Sequence, residues 1–144
     1  MKQKHIGMTG SRDGFTTAQL NTLLIMFTGI RIDHNTTFHH GDCVGADTDA
    51  HKVAVKRGCI IHIHPPLKDD LRAYNAGQIV EEPKTYFARN RDIVDASEYM
   101  IAFPNTMTEK SKGGTWYTIN YTRKTKTRLI IIWPDGTSTV ENVK

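Results

Sequence analysis

Residues 36–47 read TTFHHGDCVGAD, and this stretch decides the fold class. Its first five residues form a β-like run, the next five contain two glycines and are typical of a loop, and a stripe of small apolar residues at helical spacing runs from Ala46 to Ala54. A strand that passes through a glycine-marked loop into a helix is the repeating unit of an open α/β sheet. The stretch therefore predicts one βα unit, whose helix closes at Gly58.

Other parts of the chain repeat this pattern, with β-like runs at 4–9, 59–64, 99–103 and 129–133. These runs are too apolar to face water on one side, which favours a parallel sheet covered by helices on both faces. We predict an α/β, Rossmann-like, doubly wound and mainly parallel sheet of about five strands. The 144 residues fit a single domain, 1–144, with a polar C-terminal tail from about 137.

Helices are predicted between these runs. Thr16 begins the first, and Gln19, three residues on, completes a capping box. Pro83 suits the first turn of a helix that runs to about Ser97. The last helix follows a Gly-Gly pair, whereas residues 68–80 predict only a short helix and a loop.

Composition narrows the function classes. The formal net charge is +4, which mildly favours anionic partners without establishing nucleic-acid binding. No apolar run approaches the ~20 residues that span a bilayer, so we expect a cytoplasmic protein with no membrane partner. Cys43 and Cys59 are too few for a disulfide framework and are expected to stay reduced.

Histidine pairs raise the question of a metal site. His39 precedes His40, and His62 alternates with His64 on a predicted strand, so that the last two share one face. However, no spacing of cysteine, histidine and carboxylate residues resembles a known metal site. We therefore predict no metal ligands.

Three strand-to-helix loops contain candidate ligand-binding residues. In the first loop, Gly10 lets the backbone approach a ligand closely, Ser11 offers a hydroxyl, and Arg12 can clamp a phosphate. The alternative is a plain turn with an exposed arginine. The loop lacks the GxGxxG fingerprint of dinucleotide-binding proteins.

The second loop contains Gly41, Asp42 and Gly45 and leads into Ala46 and Asp47 of the helix. Free amides at this helix start can bind an anion. Asp42 is either a ribose ligand or a structural cap, and the sequence leaves both open. Asp47 suits the positive end of the helix dipole whatever the function.

The third loop and one helix complete the candidate site, with Lys112, Gly113, Gly114, Thr115, Arg89 and Asn90. A lysine before two glycines at a helix start favours an anion-binding nest, and a plain flexible loop is the alternative. One of the arginines at positions 89 and 91 is expected to reach the ligand rim. Because all three loops follow parallel strands, they should rise at the same edge of the sheet.

In series, these segments resemble the SLOG superfamily, named after the Smf/DprA and LOG proteins, and its small stand-alone bacterial and phage members of the DUF2493/YspA type in particular. The resemblance rests on MTGSR (8–12), HGDCVGAD (40–47), HPP (64–66), RNRDIV (89–94), AFP (102–104) and GGTW (113–116). It implies a Rossmann-like fold and a pocket for nucleotides or nucleotide-derived ligands such as ADP-ribose-like molecules. It also implies self-association, often as dimers.

One departure from the family pattern bears on activity. Relatives that cleave the N-glycosidic bond of nucleoside monophosphates have the motif PGGxGTxxE, whose glutamate is catalytic. Three residues after Thr115 this chain has Thr118, and Pro104 lies far upstream of the glycines. A threonine cannot stabilise oxocarbenium charge as a carboxylate does. Candidate substitutes are Asp42, Asp47 and Glu109.

The leading hypothesis is therefore a binding module for a phosphate-bearing nucleotide derivative, acting as a sensor or a sequestering protein, with no required cofactor. The alternative is a nucleoside-monophosphate N-glycosidase with a substitute carboxylate. A nucleic-acid-binding module is the third hypothesis and the least favoured, because Trp116, Tyr117 and Tyr121 near Arg123 form only a weak stacking platform. The same three aromatic residues favour a homodimer or a higher homo-oligomer.

Overall fold

The computed structural model of the protein describes residues 3–143. The strands are β1 (Lys4–Gly10), β2 (Thr36–His40), β3 (Ile60–Ile63), β4 (Ile79–Val80), β5 (Tyr99–Phe103), β6 (Arg128–Ile132) and β7 (Ser138–Glu141). The helices are α1 (Thr17–Gly29), α2 (Ala46–Lys56), α3 (Tyr86–Ala96) and α4 (Gly114–Lys124). The predicted α/β class is confirmed, and each of the five predicted strands is present.

The strands form one sheet in the order β4-β3-β2-β1-β5-β6-β7. All neighbouring pairs are parallel except β6 and β7, which are antiparallel. The chain starts at the central strand β1, moves outward through β2, β3 and β4, and then returns to β5 on the other side of β1. The winding therefore reverses beside β1, which is where open α/β sheets usually bind their ligands.

Helices cover both faces of the sheet, as the doubly wound prediction requires. On one face α1 and α2 pack on the strands through an apolar core that includes Leu23, Phe27, Phe38, Ala50, Ile61 and Ile101. On the other face α3 and α4 do so through Ile93, Val94, Met100, Trp116, Ile119 and Leu129. This burial of apolar surface on both faces is the main force that fixes the strand order.

Two stretches correct the prediction. Residues 68–80 contain no helix, and Ile79 and Val80 instead pair with the end of β3 as the edge strand β4. The predicted polar tail forms the opposite edge, since residues 138–141 pair with β6 after a turn at Gly136. Both edge strands are mostly exposed. β4 is too short to show a periodic pattern and β7 is mostly polar, so neither is recognisable as a buried strand.

Helix starts agree with the sequence at one position and differ at another. Thr16 caps α1, with its side chain and that of Gln19 accepting the reciprocal backbone hydrogen bonds of a capping box. By contrast, α3 begins at Tyr86, three residues after Pro83. Within residues 3–143 no helix combines the length and apolarity needed to cross a bilayer.

Candidate functional site

The three glycine-marked loops meet around one cavity of about 740 Å³ at the carboxyl ends of β1, β2 and β5. Its lining includes Gly10, Ser11, Arg12, Gly41, Asp47, Arg89, Asn90, Lys112, Gly113, Gly114 and Thr115. Of the residues singled out in the sequence, Asp42, Gly45 and Ala46 lie outside this lining. The volume is within the range of small-molecule sites, roughly 300–1,000 Å³.

The first loop is anchored so that its side chains face the cavity. The Ser11 amide donates to the Phe103 carbonyl (3.2 Å), and the Ser11 hydroxyl accepts from the Asp13 amide (3.0 Å). The Arg12 side chain is exposed, and its guanidinium lies 5.8 Å from the centre of the Tyr86 ring. Arg12 is thus held near an aromatic face with its donors open to a ligand.

Gly45 and Ala46 act on the first loop rather than on the cavity. The Ala46 amide donates to the Ser11 carbonyl (2.9 Å), so this helix-start amide already has a partner. Gly45 has a φ of +92°, and a Cβ there would collide with the backbone of Arg12. The glycine is therefore required for the close approach of the two loops.

Replacing Gly45 with alanine is expected to lower the free energy of unfolding by about 1–3 kcal/mol, because it adds a strained φ to a backbone collision. Gly29→Ala is the matched control, since a Cβ at Gly29 meets no atom within 4 Å, and it should be neutral or stabilise by roughly 0.4–1 kcal/mol. Urea unfolding followed by circular dichroism measures both. Equal effects of the two changes would contradict this role of Gly45.

Asp42 is a structural residue. Its carboxylate is fully buried and accepts hydrogen bonds from the Asn75 amide (2.9 Å), the Asn75 side chain (3.1 Å) and the Arg72 guanidinium (3.3 Å). The Ala73 amide donates to the Asp42 carbonyl (2.7 Å). These bonds fix the segment 72–75 against the second loop. Asp42 does not cap α2, whose N-cap is Gly45 without a side-chain hydrogen bond. The ribose alternative stays a prediction, with Asp42 outside the cavity lining.

Asp47 is the candidate substitute carboxylate that lines the cavity. It is 8% exposed and accepts from the Cys43 amide (3.0 Å). Burial raises its pKa to about 6, and the nearby Arg89 guanidinium opposes that rise. Burial and the Asp47 carboxylate also raise the pKa of the Cys43 thiol, so this thiol is not an activated nucleophile.

Arg89 lies beneath the cavity and ties three elements together. Its guanidinium donates to the Gly41 carbonyl, to the His64 carbonyl (3.2 Å) and to the Asn90 side-chain oxygen (2.6 Å). The residue is 5% exposed. These hydrogen bonds hold the ends of β2 and β3 against α3. Arg91, two residues further along the helix, donates instead to the Tyr117 hydroxyl (2.7 Å).

The third loop is open. Gly113 has a φ of +109°, and a Cβ at Gly113 or Gly114 would meet no atom within 4 Å. Lys112 is exposed beside these glycines, and Lys110 adds a second exposed cation to the lining. The loop therefore offers backbone and positive charge to an anion.

Thr118 does not face the cavity. It is 1% exposed, and its hydroxyl donates to the Gly114 carbonyl one turn earlier (2.9 Å). Glu109 is exposed and forms an ion pair with Arg123 (2.5 Å). Of the three substitute carboxylates considered, Asp47 alone lines the cavity.

Two aromatic residues of the site were missed in the sequence. Tyr86 and Phe87 begin α3 and line the cavity, with Tyr86 also lying 5.5 Å from the Arg89 guanidinium. Phe87 is 52% exposed, and its ring stacks on that of Tyr117 at 4.1 Å. The signal available in the sequence was their position two and three residues before Arg89, which was already a candidate site residue.

The aromatic residues expected to drive self-association mostly have partners within the chain. Trp116 is 4% exposed and belongs to the core. The Tyr121 hydroxyl donates to Asp95 (2.8 Å). The prediction of a homo-oligomer therefore stands on the family resemblance and on the exposed Phe87 more than on these aromatic rings.

Comparisons with known proteins give a fold and no sequence family. No family model matches the sequence, and neither does any curated protein. Among solved structures, DNA processing protein A from Helicobacter pylori, described in its single-stranded DNA binding mode, is similar with a TM-score of 0.63 and 16% identity. The comparison covers 90% of this chain and 65% of that one.

DNA processing protein A from Streptococcus pneumoniae is similar at a TM-score of 0.63 and 17% identity, over 90% of this chain and 50% of that one. The chain therefore spans about half to two thirds of the length of these two proteins. At such identities the similarity shows a shared fold, which agrees with the Smf/DprA side of the resemblance found in the sequence.

Proposed function

We propose that the cavity binds a phosphate-bearing nucleotide or a nucleotide-derived ligand of the ADP-ribose type. The observation that carries the proposal is the convergence of all three glycine-marked loops on one cavity with Arg12, Lys110 and Lys112 in its lining. We also propose that the chain belongs to the SLOG superfamily, which the shared fold supports.

Different parts of the lining suit different parts of such a ligand. Phosphate oxygens suit Arg12 and Lys112, which line the cavity together with glycine backbone. A planar base suits the side of the cavity formed by Tyr86 and Phe87, since aromatic rings stack on bases. Asp47 suits a sugar hydroxyl, which can donate to its carboxylate.

Replacing Arg12 with alanine is expected to weaken nucleotide binding by about 1.5–3 kcal/mol, the range for hydrogen bonds to charged groups. Calorimetric titration with AMP, ADP and ADP-ribose measures this loss. Arg128→Ala is the control, because Arg128 is exposed at the start of β6 and lies outside the cavity. Unchanged affinity in R12A, or an equal loss in R128A, would contradict the assignment of the pocket.

A second candidate function is binding of single-stranded nucleic acid. It is favoured by the single-stranded DNA binding described for the Helicobacter pylori protein of the same fold. Phe87 is exposed and lines the same cavity as Arg12 and Lys110, so the cavity offers both a base-stacking surface and positive charge. The sequence had made this function the least favoured, and the cavity aromatics strengthen it.

One competition experiment separates the two functions. A fluorescent deoxythymidine oligomer is titrated with protein, and ADP-ribose is then added. Tight ADP-ribose binding with no oligomer binding supports the small-molecule function. Oligomer binding that free nucleotides do not displace, with log affinity falling steeply with log salt, supports the second.

A further inference from the structure

A cluster of three histidines lies on the sheet, outside the lining of the cavity described above. His39 of β2 is the register partner of His62 of β3, and His64 follows two residues later. Because side chains alternate along a strand, His62 and His64 share a face. Their rings stack at 4.5 Å, and one nitrogen from each of the three histidines lies within 4.8 Å of the others.

We propose that His39, His62 and His64 bind a transition-metal ion of the Zn²⁺ class, with a water in the fourth position and Glu81 as the outer partner of His62. Three protein ligands and one position open to water are a usual arrangement for zinc. The site is independent of the proposed nucleotide function. It was missed in the sequence because His39 comes from a different strand and only the pairing of β2 with β3 brings it to the other two.

The distances are close to those of a bound site. With metal–nitrogen bonds of about 2.0–2.1 Å, tetrahedral ligand nitrogens lie about 3.3 Å apart. His39 Nδ1 and His64 Nε2 are already 3.0 Å apart. No two of the cluster nitrogens are more than 4.8 Å apart, so each separation needs to close by at most about 1.5 Å, which small rotations of the partly exposed His62 ring can supply.

Outer hydrogen bonds hold the ligands in the manner usual for metal sites. His5 Nδ1 lies 2.9 Å from His39 Nε2, so His5 can accept the proton of that nitrogen while Nδ1 of His39 faces the cluster. On the open side, the Glu81 carboxylate lies 2.6 Å from His62 Nε2.

Burial orders the donor set and leaves it one entrance. His39 and His64 are 1% and 5% exposed, so the surrounding protein holds both rings in place. The Glu81 side chain is 49% exposed, so an ion can enter from that side.

The test is a titration of tag-free, chelator-treated protein with Zn²⁺ and, separately, with Co²⁺, whose visible absorption reports four-coordinate ligation. One equivalent of Zn²⁺ is expected to bind with a sub-micromolar dissociation constant, on the order of −8 kcal/mol or tighter. His62→Ala, at a half-buried position, should weaken binding at least about 100-fold, and Glu81→Gln about 10-fold or more.

His34→Ala is the matched control, because His34 is exposed and outside the cluster, and it should bind as the parent protein does. Circular dichroism of each variant verifies folding. The proposal is overturned if no saturable one-to-one binding occurs, or if His62→Ala binds as tightly as the parent. In either case the histidines form only a hydrogen-bonded chain. If His34→Ala loses zinc binding as His62→Ala does, the proposal is also overturned, because binding then depends on histidines outside the cluster.

Discussion

Replacing Arg89 with methionine is expected to lower the free energy of unfolding by about 3–5 kcal/mol. The change removes donors from the buried carbonyls of Gly41 and His64 and from the Asn90 side chain. Each buried acceptor left without a partner costs about 1–3 kcal/mol. Asp47 also loses the guanidinium that opposes its desolvation, and unpaired buried charge is strongly destabilising.

Arg91→Met is the control for this prediction, since it lies two residues further on the same helix. Arg91 is half-buried and donates to Tyr117 alone among the described side chains, so its loss should cost about 1 kcal/mol. Urea unfolding with an unchanged m-value measures both variants. An R89M protein within 1 kcal/mol of the parent would show that the Arg89 contacts contribute little to stability.

The second large effect is a missing activity. AMP, GMP, CMP and UMP incubated with the protein are expected to yield no free base at ordinary enzyme rates. Loss of a main electrostatic group commonly slows a reaction ~10²–10³-fold. Thr118, which stands where the hydrolases that the sequence resembles have a glutamate, is buried and bonded to its own helix. The glycine loops do not need that side chain, so binding without turnover is expected.

Chromatography of the four reactions for released base is the measurement. Asp47 is the carboxylate to test, because it lines the cavity and its pKa of about 6 is suitable for proton transfer near neutral pH. Glu109→Gln is the control, since Glu109 pairs with Arg123 outside the cavity. Base release that Asp47→Asn abolishes and Glu109→Gln leaves unchanged would establish the enzyme alternative.

The sequence by itself determined the class of fold and the position of the loops. Four of the five strands recognised in it contain a run of apolar residues, and β2, the fifth, is fully buried although it is mostly threonine and histidine. Such patterns are local and can be recognised in the sequence. Parallel strands present their carboxyl ends at one edge. The convergence of Gly10, Gly41 and Gly113 on one cavity follows from that rule, without any knowledge of side-chain contacts.

Tertiary structure alone decided what individual polar residues do. The Asp42 carboxylate accepts hydrogen bonds from Arg72 and Asn75, which lie about 30 residues later in the chain. The Arg89 guanidinium is buried beside the cavity because it donates to the carbonyls of Gly41 and His64, which directly follow β2 and β3.

The edge strands and the histidine cluster were likewise settled by pairing between distant segments. β4 and β7 form because an exposed edge of the sheet supplies their hydrogen bonds. β4 is only two residues long and β7 is mostly polar, so neither has a periodic pattern of its own. His39 meets His62 and His64 through strand register. Local periodicity determines burial and secondary structure, whereas the partner of a hydrogen-bonding or ligating group depends on contacts between segments far apart in sequence.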